Sequence, residues 1–402
     1  MPTEKQQTII LDKLLKEIEL PEHAYDKACK RYEDIGKWLE REESSVNEHD
    51  PHIFPQGSFR IGTAIRPMDN KEEYDLDLAC KLRKGITKDN ITQEAFKKII
   101  GDELEKYRIA RGIEKKLKTK RRCWCLEYKD DIRFHMDIVP CIPTDEEYRE
   151  RIFKSILDSG EREIVARDSS QTTVCITDER HPKFESICVD WKISNPEGYA
   201  KWFEYRMYIN QIQTFSERAQ LAKAQIDEVP LFKRKTPLQR VIQLLKRHRD
   251  CWCKLKHDPE VKPISIIITT LAARAYSGET DIINALNNVL QQMENFINKS
   301  KPKVPNPVDP KEDFADKWYR KDCLNLKLEN NFFSWLNQAK VDFKHIISTV
   351  DPTFIREFFE EKFSLKINEA KLKDQLGISG IVISSDKYDK IDRQKPAKPW
   401  RC

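Results

Sequence analysis

The segment Gln56-Gly57-Ser58-Phe59-Arg60-Ile61-Gly62-Thr63, followed by Tyr74-Asp75-Leu76-Asp77-Leu78, constrains the fold more than any other. Strand side chains alternate between faces, so Tyr74, Leu76 and Leu78 are predicted to enter a core while Asp75 and Asp77 share the opposite face. Adjacent carboxylates repel each other, and a divalent cation between them removes that cost. The Gly-Ser turn supplies backbone N–H groups and a hydroxyl, which suit a phosphate. Gly57 and Gly62 fall where close backbone approach to a ligand would need glycine. Together these residues predict a site for Mg2+ and a nucleoside triphosphate. Taken alone, Asp75 and Asp77 read more plainly as a solvated strand face.

A third carboxylate is expected on a neighbouring strand. Phe134-His135-Met136-Asp137-Ile138-Val139-Pro140 offers Asp137, its only acid, on the face opposite Phe134, Met136 and Ile138. Three aspartates suffice for two Mg2+ ions about 3.5–4 Å apart, because the triphosphate completes both coordination shells. Mn2+ is an alternative for the same ligands. His135 shares the face of Asp137, either as a phosphate or water contact or as a hydrogen-bonded strand histidine.

At 402 residues the chain is expected to hold two lobes. No apolar run approaches the roughly twenty residues that span a bilayer. The opening Met1-Pro2-Thr3-Glu4-Lys5 lacks the apolar stretch of a signal peptide, so a cytoplasmic location without membrane contact is expected. Eleven cysteines in so polar a chain, 35% charged, argue for reduced thiols. The net charge of +5 is too mild to imply a nucleic-acid requirement.

Helical periodicity covers residues 5–19, 22–41 and 91–109, and residues 121–128 and 132–139 alternate like a hairpin. Beyond Trp191, periodicity predicts helices over 197–225, 235–254, 263–277, 281–298, 309–319, 330–349 and 351–362, with prolines 302, 305, 307 and 310 in one connection. The expected organisation is an N-terminal helical spine (1–45), an α+β catalytic core (46–195), a helical C-terminal lobe (196–365) and a flexible tail (366–402).

These motifs resemble those of the cGAS/DncV-like nucleotidyltransferases (CD-NTases) of bacterial anti-phage (CBASS) signalling. Gln56-Gly57-Ser58-Phe59-Arg60, Tyr74-Asp75-Leu76-Asp77-Leu78 and His135-Met136-Asp137-Ile138-Val139-Pro140 carry the likeness, helped by Trp191–Tyr199, Pro237–Asp250, Lys262–Thr270, Asn306–Val308 and Phe314–Trp318. The resemblance implies a DNA polymerase β-like palm on a long spine helix, with a helical C-terminal lobe of the oligoadenylate-synthase type. It implies a cyclic di- or trinucleotide made from NTPs, ATP among them, as a second messenger. Asp75, Asp77 and Asp137 would bind the metals, and Asp137 would accept the hydroxyl proton. Gln56, Gly57 and Ser58 would hold the donor triphosphate. Lys246 and Ser265 best match a lysine and serine of the helical lobe that touch phosphates; a surface lysine and a helix N-cap are the plain alternatives. Asp316 would read an acceptor base, or is a helix-surface acid. Relatives often place an aromatic where this chain has Ile61 and Ile266, so stacking would fall to Tyr199 or Tyr205 or be replaced by apolar contact. Implied partners are HORMA proteins with an AAA+ remodeller, or ubiquitin-like conjugation at the C-terminus.

A linear 2′–5′ oligoadenylate-like synthase or an RNA-tailing enzyme would use the same aspartates, and a catalytically silent nucleotide sensor is the non-enzymatic alternative. The repeated Cys123-Trp124-Cys125 and Cys251-Trp252-Cys253 invite a four-thiolate zinc site, but their spacing argues against it. The basic run Lys115–Arg122 lacks interleaved aromatics and reads as a solvated approach to a strand.

Overall fold

The computed structural model describes residues 2–68, 73–129, 133–209, 235–256 and 258–378. In chain order its first half runs α1 (Glu4–Ile18), α2 (Glu22–Glu40), β1 (Pro51–Pro55), α3 (Gly57–Arg60), β2 (Tyr74–Leu82), α4 (Gln93–Ala110), β3 (Lys118–Thr119), β4 (Trp124–Tyr128), β5 (Phe134–Pro143), α5 (Glu146–Asp158), α6 (Glu163–Ser170), β6 (Val174–Ile176) and β7 (Lys192–Ser194). The second half is α7 (Pro196–Met207), α8 (Pro237–Lys256), α9 (Ser265–Ala275), α10 (Ile282–Gln292), β8 (Pro305–Asn306), β9 (Asp309–Asp313), α11 (Leu328–Ile347), α12 (Pro352–Phe363) and α13 (Glu369–Gln375).

Seven strands form one sheet in the order β1-β2-β5-β4-β3, with β6 on the far part of β5 and β7 beyond it. Only β2 and β5 pair in parallel, and their register sets Asp77 opposite Asp137 and Asp75 opposite His135. Both strands alternate as expected. Leu76, Leu78, Phe134, Met136 and Ile138 are buried, and they pack with α2 and α4 through Ile35, Leu39, Phe96, Ile100 and Leu104. One face of the sheet is therefore closed by helices, and the acids occupy the other.

A second, larger core gathers α1, α5, α6 and the helices beyond β7 around Leu14, Trp202, Leu245, Leu271 and Trp335. Here α8 departs from ordinary amphipathic design. Gln239, Gln243, Lys246 and Arg247 are buried on one helical stripe. They donate to the carbonyls of Ile61, Ala64, Thr63 and Arg66 respectively. The loop after α3 makes an isolated bridge, Ile65 with Glu19, and this stripe takes up four further carbonyls and ties the two cores together.

Two local expectations are corrected. Residues 309–319 are not a helix but the strand β9 followed by a 3-10 turn over Asp316–Trp318. The Asp313 carboxylate accepts from the backbone N–H groups of Lys303, Val304 and Ala315 and from the Tyr319 hydroxyl, which stabilises a loop where periodicity alone favoured a helix. The expected tail from residue 366 begins instead with α13, which buries Leu372 and Leu376 in the larger core. The helix expected over 197–225 is observed only as α7, which ends at Met207 with Tyr208 as its C-cap; residues 210–234, like the C-terminal end from 379, lie outside the described residues. The ten cysteines among the described residues are free. No helix among the described residues is long and apolar enough to cross a membrane.

Candidate active site

Parallel pairing of β2 with β5 brings Asp75, Asp77 and Asp137 onto one face, with a carboxylate oxygen of each within 4.8 Å of the other two. Burial, reinforced by Asp75 and Asp137, raises the Asp77 carboxyl to about 7. Asp75 is also raised, by burial and then by Asp137. Three acids held this close repel unless a cation or protons neutralise them. The all-oxygen donor set fits a hard divalent ion.

The turn after β1 lies against this cluster. Gly57 has φ +64°, and a β-carbon there would stand 2.3 Å from Asp77 Oδ2, so only glycine lets the turn approach so closely. Gln56 pins the turn to β2: its N–H donates to the Asp77 carbonyl at 2.8 Å and its Nε2 to the Leu78 carbonyl at 3.0 Å. Ser58 sits at the start of α3, and its carbonyl accepts from the Thr63 N–H. The helical lobe reaches the same loop through Lys246, whose Nζ donates to Thr63 O and Oγ1 at 3.1 and 3.0 Å. An ammonium has three donors, so one remains for the cavity. Burial first, then Arg249, lowers the Lys246 amine to about 7. The solvated-lysine alternative is thus excluded.

Gln56, Gly57, Ser58, Asp75, Asp77, Lys246 and Ser265 all line one cavity of about 450 Å3. Ser265 is the first residue of α9 rather than its N-cap, which is Ile264, and its Oγ accepts from Arg249 at 2.8 Å. Two of the expected residues do not line this cavity, Asp137 and Asp316. Asp137 stays within 4.8 Å of the Asp75 and Asp77 carboxylates, whereas Asp316, on its 3-10 turn, is half exposed and faces Arg320 at 3.7 Å.

The rest of the cavity was legible only in part. Ile61 and Ile266 do line it, as do Tyr199 and Phe314. Tyr199 is fixed by a 2.9 Å hydrogen bond to Thr270 and meets Phe314 edge to face. Tyr205 instead donates to Asp168 and does not line the cavity. Asn306 and Glu312 also line the cavity, with Asn306 Nδ2 donating to Glu312 Oε2 at 2.8 Å. An acid, an amide and an aromatic within a few residues of the Pro-rich hairpin were the available signal.

The basic run is spent on acids. Lys115 and Lys118 pair with Glu127, Lys120 with Asp137, and Arg121 and Arg122 with Asp178. The two Cys-Trp-Cys motifs lie apart, Cys123 and Cys125 at β4 and Cys251 and Cys253 on α8, and form no joint metal group among the described residues.

A family profile described as "Cyclic GMP-AMP synthase DncV-like, nucleotidyltransferase domain" matches residues 51–140, the span that carries all three aspartates. A "c-di-GMP synthase" of Roseivirga ehrenbergii is 30% identical over 337 residues, covering 81% of this chain and 76% of that protein. The chain belongs to the DncV-like nucleotidyltransferase (CD-NTase) family. Among solved structures, the CD-NTase CdnG of Bradyrhizobium diazoefficiens in complex with GTP superposes with a TM-score of 0.59 at 20% identity, covering 93% of this chain and 99% of that one. The E. coli MS115-1 CdnC:HORMA-deltaN complex gives 0.54 at 12% identity, covering 90% and 98%. These likenesses show the fold, a polymerase β-like nucleotidyltransferase palm with a helical lobe. This CD-NTase is accordingly a nucleotidyltransferase of the cyclic-oligonucleotide-synthase type.

Proposed function

We propose that the protein joins two guanosine triphosphates into a cyclic dinucleotide with release of pyrophosphate, using Mg2+ held by Asp75, Asp77 and Asp137. The observation that carries this reading is one cavity lined by Asp75, Asp77 and the Gly57-Ser58 turn together with Tyr199, Phe314 and Glu312. The names of the relatives, a c-di-GMP synthase and a CD-NTase with GTP, support guanine as the base. Chemistry supports it as well. Guanine offers two adjacent donors on its pairing edge, and Glu312 is an acceptor-only group beside Asn306. Adenine would leave one carboxylate oxygen facing its N1 lone pair.

In this reading Ser58 and the spare Lys246 donor hold the donor triphosphate, and the Arg249–Ser265 contact fixes the floor beneath it. Gln56 positions the turn. Two bound Mg2+ ions would supply activation of the attacking hydroxyl and neutralisation of the departing pyrophosphate. Asp137 accepts the hydroxyl proton as the oxygen attacks the α-phosphorus and the bond to the pyrophosphate oxygen breaks. The linear product then turns round and repeats the step, closing the ring. The internally paired basic run gives no support to a duplex-guided linear synthase.

The HORMA complex of the CdnC neighbour supports a HORMA-type regulator as partner; an AAA+ remodeller acting with it is part of the same proposal. The alternative, ubiquitin-like conjugation at the C-terminus, concerns residues outside those described. Either would place the product in anti-phage signalling. Incubation with GTP, ATP or both, with Mg2+ or Mn2+, tests the chemistry. A phosphatase-resistant product that digests to guanosine monophosphate alone is expected. A product with free ends, or none under any metal and nucleotide, would sink the proposal.

A further inference from the structure

Asp137 has a second set of neighbours that nucleotidyl transfer does not use. Cys125 on β4 is its register partner, so the two side chains share a face, and His135 joins them two residues along β5. Cys125 Sγ stands 2.9 Å from His135 Nε2, and His135 Nε2 stands 3.2 Å from Asp137 Oδ1. One donor atom from each of the three lies within 4.8 Å of the other two. The Lys120 ammonium occupies the same spot, 2.6 Å from Nε2 and 2.8 Å from both Asp137 oxygens. Sulfur, nitrogen and oxygen donors thus converge on a point already held by a positive charge. Lys120 reaches it on a flexible stem whose side chain is 41% exposed, so the ammonium has an open path to water.

We propose that Cys125, His135 and Asp137 form a transition-metal site that takes Zn2+ in exchange for the Lys120 ammonium, and that its occupancy withdraws Asp137 from nucleotidyl transfer. A thiolate and an imidazole select a borderline ion such as Zn2+ over Mg2+, which prefers oxygen. Zinc bonds of about 2.0–2.3 Å set ligand atoms roughly 3.3–3.7 Å apart, so the Cys125–His135 and His135–Asp137 separations of 2.9 and 3.2 Å need widen by only roughly half an ångström. His135 is already oriented, because its Nδ1 faces Glu73 at 3.6 Å and leaves Nε2 toward the metal. On binding, Cys125 releases its thiol proton to solvent and Lys120 carries its charge out, so no other reactant is needed. The position that the ammonium leaves is the one open to water. Only the inhibitory consequence rests on the role given to Asp137 above; the binding does not.

Cobalt is the direct probe. Titrating Co2+ into the full chain without nucleotide should produce thiolate-to-cobalt charge-transfer absorption, and this should vanish in Cys125→Ser. The chain has eleven cysteines, so a band that survives in C125S overturns the assignment. Zinc affinity, measured against a chromophoric chelator, should fall about tenfold or more in C125S and in His135→Gln, and rise in Lys120→Met. The more exposed His135 guards against a failure of C125S to fold. Equal affinity in wild type, C125S and H135Q overturns the proposal. In Mg2+-driven pyrophosphate release, zinc should inhibit wild type and leave C125S less affected; equal inhibition refutes the coupling to Asp137. If the cobalt band appears but no nucleotide is ever joined, the synthase reading fails and the metal site stands.

Discussion

Replacing Gly57 by alanine asks whether the turn after β1 holds the carboxylate of Asp77 where chemistry needs it. Gly57 has φ +64°, a left-handed conformation that costs an L-residue about 1–2 kcal/mol. The new β-carbon would stand 2.3 Å from Asp77 Oδ2, whereas ordinary contact begins at 3.4 Å. Either the carboxylate or the turn must yield by about 1 Å, and a misplacement of that size at a reacting centre costs roughly a hundredfold in rate. The conformational cost is small beside a typical stability of about 5–15 kcal/mol, so the chain should stay folded, its thermal midpoint lowered by only a few degrees. The assay is Mg2+-dependent pyrophosphate release from GTP, with the Mg2+ concentration varied for both proteins. Activity should drop about a hundredfold, and saturating Mg2+ should not restore it. If natively folded G57A stayed within about threefold of wild type, the turn would not be what positions Asp77, and the argument from close approach would fail.

Four further outcomes follow from the same geometry. The folded-state pKa of Asp77, about 7, lies above its unfolded value, so the metal-free protein binds more protons folded and loses stability as pH rises from about 4 to about 7. Asp77→Asn should flatten that loss in urea titrations with chelator present; parallel curves for the two proteins would refute the shift. Lys246, lowered to about 7, loses the charge that attracts a triphosphate as pH rises through that value. The alkaline fall in kcat/KM should therefore be weaker in Lys246→Met, whose overall activity is lower; an unchanged profile would remove Lys246 from phosphate binding. Asp316→Asn should leave pyrophosphate release within about twofold of wild type, because Asp316 lies outside the cavity lining; a large loss would return it to the site. Glu312→Gln should reduce the preference for GTP over ATP by about tenfold, read from competing nucleotides in one reaction, and an unaltered ratio would exclude Glu312 from base reading.

The three aspartates were readable because a strand's alternation is local. Leu76 and Leu78 fix which way Asp75 and Asp77 point, and Phe134, Met136 and Ile138 do the same for Asp137. Gly57 was readable for a similar reason, since few residues tolerate the backbone such a turn requires. The helix expected over 309–319 misled because a short stretch of polar and aromatic residues looks helical until Asp313 gathers the backbone N–H groups around it. The fate of the basic run was also hidden, because Glu127, Asp137 and Asp178 are its partners only once the strands pair.

By itself, then, the sequence determined the acids, the turn beside them, the polymerase-like class of fold and the helical character of the second half. Tertiary structure alone decided what surrounds them. The buried polar stripe of α8 found its carbonyls, Phe314 and Glu312 came to line the same cavity as Ser58, and Cys125, His135 and Lys120 closed around Asp137. The reason is the range of the forces involved. Periodicity and turn chemistry act over a few residues, whereas these contacts join segments far apart in the chain and exist only when the strand register and the docking of α8 are both in place.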